Sequence, residues 1–378
     1  MKHCSYALLA LAALLSGPAQ AERPALSARD VKAIRVLVEK TMADEHAPGM
    51  TVAIGLNDKL AWSEGFGLAD VENNVRATPD TEYRTASIGK PMTATAAMEL
   101  VEQGKLDLDA PIQKYCPRFP QKQWAITARE LIAHTSGIRH YEGPNEDTEL
   151  FNTQHYDHAS DALDIFDKDP LKFQPGTGFA YSTWGYVTLG CVLEGATGED
   201  YRTLMQRLIF TPAQMTNTRD DDPRAIIAHH ARGYIIEDGA LKVSRWADMS
   251  SKMAAGGWVT TAPDLVKFMH AFMDGKLVSA KTAALMIKPV EYPLGDGKST
   301  VDNFGFGWAT DVYRAMPAAT FGGGTPQVSG FIFFVPEKHL AIAEIFNLEN
   351  IPGGHRAALA QAIADVVLGE KMANTAAH

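Results

Sequence analysis

The sequence predicts an α+β fold: an antiparallel sheet assembled from both ends of the chain, flanked by terminal helices, with a large, mainly helical insertion between. Three observations carry this. Strand patterns stand near both ends of the chain, helical patterns fill its middle, and a helix, the first of them amphipathic, stands at the outer end of each strand-rich segment. Strands from opposite ends share one sheet only if the intervening chain leaves and returns. Residues 22–80 and 290–378 are therefore assigned to a discontinuous sheet region, and residues 81–289 to the insertion.

Met1-Lys2-His3 is a basic start, Tyr6 to Leu15 is apolar, and Ala19-Gln20-Ala21 is a small-x-small site. This predicts a cleavable signal peptide over residues 1–21, cut after Ala21, and a secreted or periplasmic product. The competing reading, an apolar core helix, lacks the polar residues that would give it an outer face. The run is too short for a stable membrane span, which takes about 20 apolar residues. Ser27 and Asp30 then form a helix-start pattern, and Val31, Ile34, Leu37 and Val38 share a face, so a helix runs from Ser27 to about Ala43. Thr51 to Leu56 and Lys59 to Gly67 read as two strands of a hairpin turning at Asn57-Asp58. A helix is expected from Ser87 to Gly104, with Pro91 tolerated near its first turn. Tyr141 to Gly176, rich in acidic residues, His and Pro, has a periodic piece at Ala159 to Phe166 and reads equally as a cleft rim or as a solvated loop. Phe304 to Thr310, Val328 to Val335 and Ala341 to Asn347 are strand-like, with Pro336-Glu337-Lys338 turning between the last two. A final helix spans His355 to Leu368 and stops at Gly369.

The chain has 378 residues, 46% hydrophobic content and a formal net charge of -10, which becomes -11 when the signal removes Lys2. An acidic surface of this kind disfavours nucleic acid and anionic membranes as partners. The mature chain keeps Cys116 and Cys191, read as two buried thiols, although an oxidising compartment permits a disulfide.

Three stretches carry possible chemistry. In Thr85-Ala86-Ser87-Ile88-Gly89-Lys90, the serine and lysine sit at i and i+3 at a helix start and share a face. The pair is either a cap with a surface charge or a nucleophile with a base, the latter requiring burial to lower the lysine pKa by about 3 units. Tyr181, between the Pro175-Gly176 turn and a new helix, is either a packing residue or a proton relay to a leaving group. Phe321-Gly322-Gly323-Gly324-Thr325 permits close approach of another backbone, a substrate's or the protein's own.

Taken in this order, the elements resemble the serine β-lactamase and penicillin-binding-protein superfamily, in particular its class C-like branch of secreted esterases and D-amino-acid peptidases. The matching stretches run from PGMTVAIGLNDKLAWSEGFGLADVENN through TEYRTASIGKPMTA, ELIAHTSGIRHY and FAYSTWGY to MAAGGWVTTAPDLVKFM and FGFGW. The run from Ser87 to Tyr141 is most similar to the group containing the animal mitochondrial β-lactamase-like serine protease and its bacterial relatives. The resemblance implies a β-lactamase/transpeptidase-like fold and an acyl-enzyme on Ser87. It implies Lys90 as the group that takes the serine proton and Tyr181 as co-base and acid toward the leaving group. Backbone N–H groups of Ser87 and Gly324 would hold the oxyanion, with Gly323, Thr183 and Phe321 at the substrate, and His134 would be architectural. No cofactor or metal is implied, and the expected partner is a small ester, peptide or β-lactam substrate.

Two positions depart from the family pattern. Thr183 stands where an asparagine amide is common, and Phe321 stands where a lysine or histidine usually meets the substrate carboxylate. The second change favours esters or peptides held by apolar contacts over efficient β-lactam or D-Ala-D-Ala turnover. A slow-acylating or non-catalytic penicillin-binding protein is the alternative, and a true β-lactamase the next. No Gly-x-Ser-x-Gly elbow or His-Glu-x-x-His motif is present, and no carboxylate or cysteine pattern completes a metal site around His155 and His158 or around His229-His230.

Overall fold

A computed structural model describes residues 26–293, 299–301 and 303–369, so the signal-peptide reading lies outside the described residues. Helix α1 (Ala28–Asp44) starts as its sequence predicts. The Ser27 hydroxyl accepts from the Asp30 N–H, and the Asp30 carboxylate accepts in return from the Ser27 N–H. Strands β1 (Gly49–Leu56) and β2 (Lys59–Asp70) are joined by Asn57 and Asp58, at φ 52° and 62°. Two left-handed residues make the type I′ turn whose twist suits a tight hairpin. Strand β3 (Val75–Arg76) ends this half.

The insertion carries α2 (Gly89–Glu102), α3 (Thr183–Thr197), α4 (Met253–Gly256) and α5 (Ala262–Met273). A small sheet of Tyr83–Arg84, Trp258–Thr260 and Arg219–Asp220 holds the start of the insertion to its later part. The chain then returns as β4 (Ala309–Tyr313), β5 (Met316–Thr325), β6 (Val328–Val335) and β7 (Leu340–Phe346), and closes with α6 (Gly353–Val367).

Among the described residues the main sheet has seven antiparallel strands in the order β4-β5-β6-β7-β1-β2-β3. The β7–β1 pairing, from Met50↔Phe346 to Leu56↔Leu340, joins the two chain ends at its centre. Every residue of β6 is buried because both faces of the sheet are covered. Phe331, Phe333 and Val335 pack with Ile34 of α1 and Leu359 and Ile363 of α6. Their alternates Ile332 and Phe334 join the core shared with α2, α3 and α5, as the two-residue period of a strand requires.

Three expectations are corrected. The strand expected over Phe304 to Thr310 begins only at Ala309, because the Gly305 N–H donates to the Trp308 carbonyl and Gly307 takes φ 82°, making a tight turn. Strand β5 was not expected over its full length, since its alanines and glycines carry little strand signal. Cys116 and Cys191 are not free thiols: they form a disulfide that fastens the segment before α3 to α3 itself. Their separation of 75 residues carries no pairing signal in the sequence.

Candidate active site

Ser87 does not open an α-helix as expected; it lies in a 3-10 turn, Ala86–Ile88, that leads into α2. Ala86 has φ 47°, a left-handed conformation that a residue with a Cβ adopts only under constraint. The constraint comes from the α4 end. The Thr85 N–H donates to the Trp258 carbonyl at 2.8 Å, and its hydroxyl donates to the Gly256 carbonyl at 3.1 Å. Gly256 lies so close that a Cβ there would sit 1.8 Å from the Ala86 oxygen. The turn lifts Ser87 into the cleft, and it alone between residues 81 and 90 escapes full burial.

Lys90 is fully buried one turn below. Its Nζ lies 3.0 Å from Ser87 Oγ, 3.2 Å from Thr183 Oγ1 and 3.3 Å from the Ala255 carbonyl, so none of its three partners is a carboxylate. Burial without a counter-charge holds its pKa well below the usual 10.5 and makes the neutral amine accessible. The Tyr181 phenol interacts with the Ser87 side chain. Burial raises the phenol pKa and the hydrogen bond with Ser87 opposes that rise only in part, so the phenol keeps its proton at neutral pH.

Two neutral imidazoles hold Tyr181 in place. His134 lies against its ring at a centroid distance of 4.5 Å and accepts the Ser182 N–H on Nδ1 at 3.1 Å. His140 meets the same ring edge-on at 5.3 Å and accepts the Thr183 N–H on Nδ1 at 3.2 Å. Burial, followed by the Lys90 charge, pushes His134 well below 6.5 and His140 down to about 3, so both remain acceptors. The architectural role expected of His134 fits this arrangement. His140 was not singled out, because nothing in the sequence shows its ring turning back onto α3.

The glycine-rich strand completes the cleft. At Gly323 a Cβ would lie 2.7 Å from the Thr85 carbonyl and 3.2 Å from Ala86 Cβ, so it is the protein's own backbone that needs this glycine. The Gly323 carbonyl accepts a hydrogen bond from Arg356 of α6 at 2.6 Å. A trans peptide turns its N–H to the opposite side from its carbonyl, and there are no cis bonds among the described residues. The Gly324 N–H therefore faces the edge of β5 that β4 leaves unpaired beyond Thr320. Gly324 and Ser87 border the same cleft.

The remaining expected contacts are revised. Gly323 is buried against the Ser87 turn. The Thr183 hydroxyl borders the cleft but is engaged by Lys90. Phe321 is buried edge-on against Phe304, with ring centroids 5.8 Å apart, and lies behind the cleft rather than in its wall. Of the segment beginning at Tyr141, Tyr141 itself borders the cleft, while Ala159–Ile165 is a 3-10 helix packed on α3. His158 does find carboxylates that its sequence spacing hid, Glu194 and Asp200, but Asp200 caps a helix and is hydrogen-bonded to His158.

The sequence profile of the family described as Beta-lactamase matches residues 34–367. The human serine beta-lactamase-like protein LACTB, mitochondrial, is 32% identical over 314 residues, covering 66% of this chain and 57% of the human one. The octameric penicillin-binding protein homologue from Pyrococcus abyssi superposes with a TM-score of 0.77 at 24% identity, over 90% of this chain and 78% of that one. The D-amino acid amidase from Ochrobactrum anthropi SV3 gives a TM-score of 0.75 at 24% identity, over 90% and 99%. The last two likenesses show a shared β-lactamase/transpeptidase-like fold. With the profile match running across both sheet segments and the insertion between them, the chain belongs to the Beta-lactamase family.

Proposed function

We propose that this chain is an exported serine hydrolase that cleaves esters or amide bonds through an acyl-enzyme on Ser87. The observation that carries the reading is the buried Lys90 amine, 3.0 Å from Ser87 Oγ and without a carboxylate partner. Lys90 takes the proton of Ser87 as its oxygen attacks the substrate carbonyl carbon. The N–H groups of Ser87 and Gly324 hold the negative oxygen of the tetrahedral intermediate, and one such donor contributes about 10²–10³ in rate. Tyr181 donates its proton to the leaving group and regains one through Lys90, and water then hydrolyses the acyl-enzyme. Export is supported by the leader pattern of residues 1–21 and by the Cys116–Cys191 disulfide.

Phe321 leaves the usual cation position apolar and favours a second reading, a penicillin-binding protein that acylates without turning over. Steady-state assays with p-nitrophenyl butyrate, nitrocefin and a D-alanyl p-nitroanilide separate the two. Sustained ester turnover, faster than nitrocefin hydrolysis, is the result expected. A single stoichiometric burst with no further product would favour the acylating binder instead.

A further inference from the structure

Lys252 stands in the wall of the Ser87 cleft and no part of the hydrolytic scheme uses it. It ends a 3-10 turn, Ser250–Lys252, immediately before α4, and is 2% exposed. Its Nζ donates to the Leu150 carbonyl at 3.1 Å, reaches Ser251 Oγ only at 3.5 Å, and lies 5.7 Å from the centroid of the Tyr141 ring. An ammonium carries three N–H donors, so this arrangement leaves donor capacity toward the cleft.

The charged groups around it are already engaged. Glu149 is paired with Arg139 at 2.7 Å, Asp248 lies 3.0 Å from His155, and Arg84 is paired with Asp221 at 2.7 Å. Lys90, His140 and Tyr141 face it across the cleft, and among the described residues no Asp or Glu borders that space. In a chain of net charge -10 this is a concave site with two lysines and no acid. Burying an unpaired cation is costly, and the arrangement is offset when a ligand supplies the anion.

Resting on the hydrolase reading of the site, we propose that Lys252 is a specificity-determining residue that binds a carboxylate on the acyl part of the substrate. The acyl side follows from the placement of Tyr181. A leaving group must meet the Tyr181 hydroxyl, yet Tyr181 does not border the space that Lys252 does, so that space receives the part of the substrate that stays on Ser87. This differs from the position of Phe321, where the family's usual cation meets a carboxylate.

The pH dependence follows from the same geometry. Burial and then the nearby Arg84 charge lower the Lys252 pKa to about 7, against the opposing pull of Asp248 and Glu149. Below that value the free enzyme presents an ammonium, and above it a neutral amine. The preference for an anionic acyl group is thus greater at pH 6 than at pH 9.

The test uses kcat/KM for mono-p-nitrophenyl adipate and for its neutral methyl ester, with wild type, Lys252→Met and Lys252→Arg. Wild type is expected to favour the anionic substrate, and Lys252→Met to lower the anionic-to-neutral ratio by about tenfold or more, as for loss of a charge-assisted hydrogen bond. Lys252→Arg keeps the preference and carries it to pH 9, because guanidinium does not titrate there. A ratio that is the same in wild type and Lys252→Met, or that falls equally in Lys252→Arg and Lys252→Met, overturns the assignment. Ser87→Ala serves as the separate control: turnover of either ester that survives it overturns the hydrolase reading, whatever Lys252 does.

Discussion

Gly323→Ala perturbs the catalytic geometry without removing any catalytic group. The new methyl would start 2.7 Å from the Thr85 carbonyl oxygen, 3.1 Å from Ile88 Cγ1 and 3.2 Å from Ala86 Cβ. Ordinary contact begins near 3.4 Å, so β5 and the Ser87 turn must separate by about 0.7 Å (3.4 minus 2.7). Neither side yields easily, because Thr85 is anchored to Gly256 and Trp258, and Gly323 to Arg356. The displacement falls between the two N–H groups proposed to hold the oxyanion, where useful donor distances span only about 2.7–3.1 Å. A shift of this size should lower kcat for p-nitrophenyl butyrate by about 10- to 100-fold, with a smaller change in KM. Gly322→Ala is the matched control: its Cβ would point to the other face of β5, where the nearest atom is 3.6 Å away. Steady-state kinetics with thermal melts of both variants decide the matter. Wild-type kcat in a folded Gly323→Ala, or equal losses in the two variants, would refute the close-approach argument.

Lys90→Arg keeps a charge but offers no neutral base, and should lose about 10²–10⁴-fold in kcat/KM, measured with the same ester. In wild type, the pH profile of kcat/KM should rise as Lys90 loses its proton, at a pH below 10.5, with no descending limb near 10 from Tyr181 because burial raises that phenol. Tyr181→Phe should slow acylation and deacylation with little change in melting temperature, read by stopped-flow and calorimetry. Replacing Cys116 and Cys191 together by alanine should cost about 4 kcal/mol from loop entropy over 75 residues, read as a lower denaturant midpoint, with Ser87 chemistry retained in the folded fraction.

What the sequence made legible was local. The cap at Ser27 and Asp30, the Asn57-Asp58 turn and the left-handed Gly369 after α6 each depend on a few neighbouring residues, and each forms as read. The Ser87–Lys90 pair was legible for the same reason, since i and i+3 converge on any helical turn. Features that depend on distant segments were not. Phe321 was placed facing a substrate by its position in a motif, but its ring finds Phe304 instead, from a turn that the sequence presented as a strand. Lys252 reads as an ordinary charged residue until the fold brings Leu150, Tyr141 and Ser87 around it. Arg356 lies 33 residues from the Gly323 carbonyl it holds, and the disulfide joins the irregular chain after the Ile112–Lys114 turn to α3 with no shared pattern.

The central claim is that one serine carries the acyl group. Incubation of the purified protein with a fluorophosphonate, followed by peptide mass mapping, tests it directly. The account predicts one adduct per chain, located on Ser87 and abolished in Ser87→Ala. An adduct on any other residue, or labelling of Ser87→Ala at the wild-type rate, would contradict it.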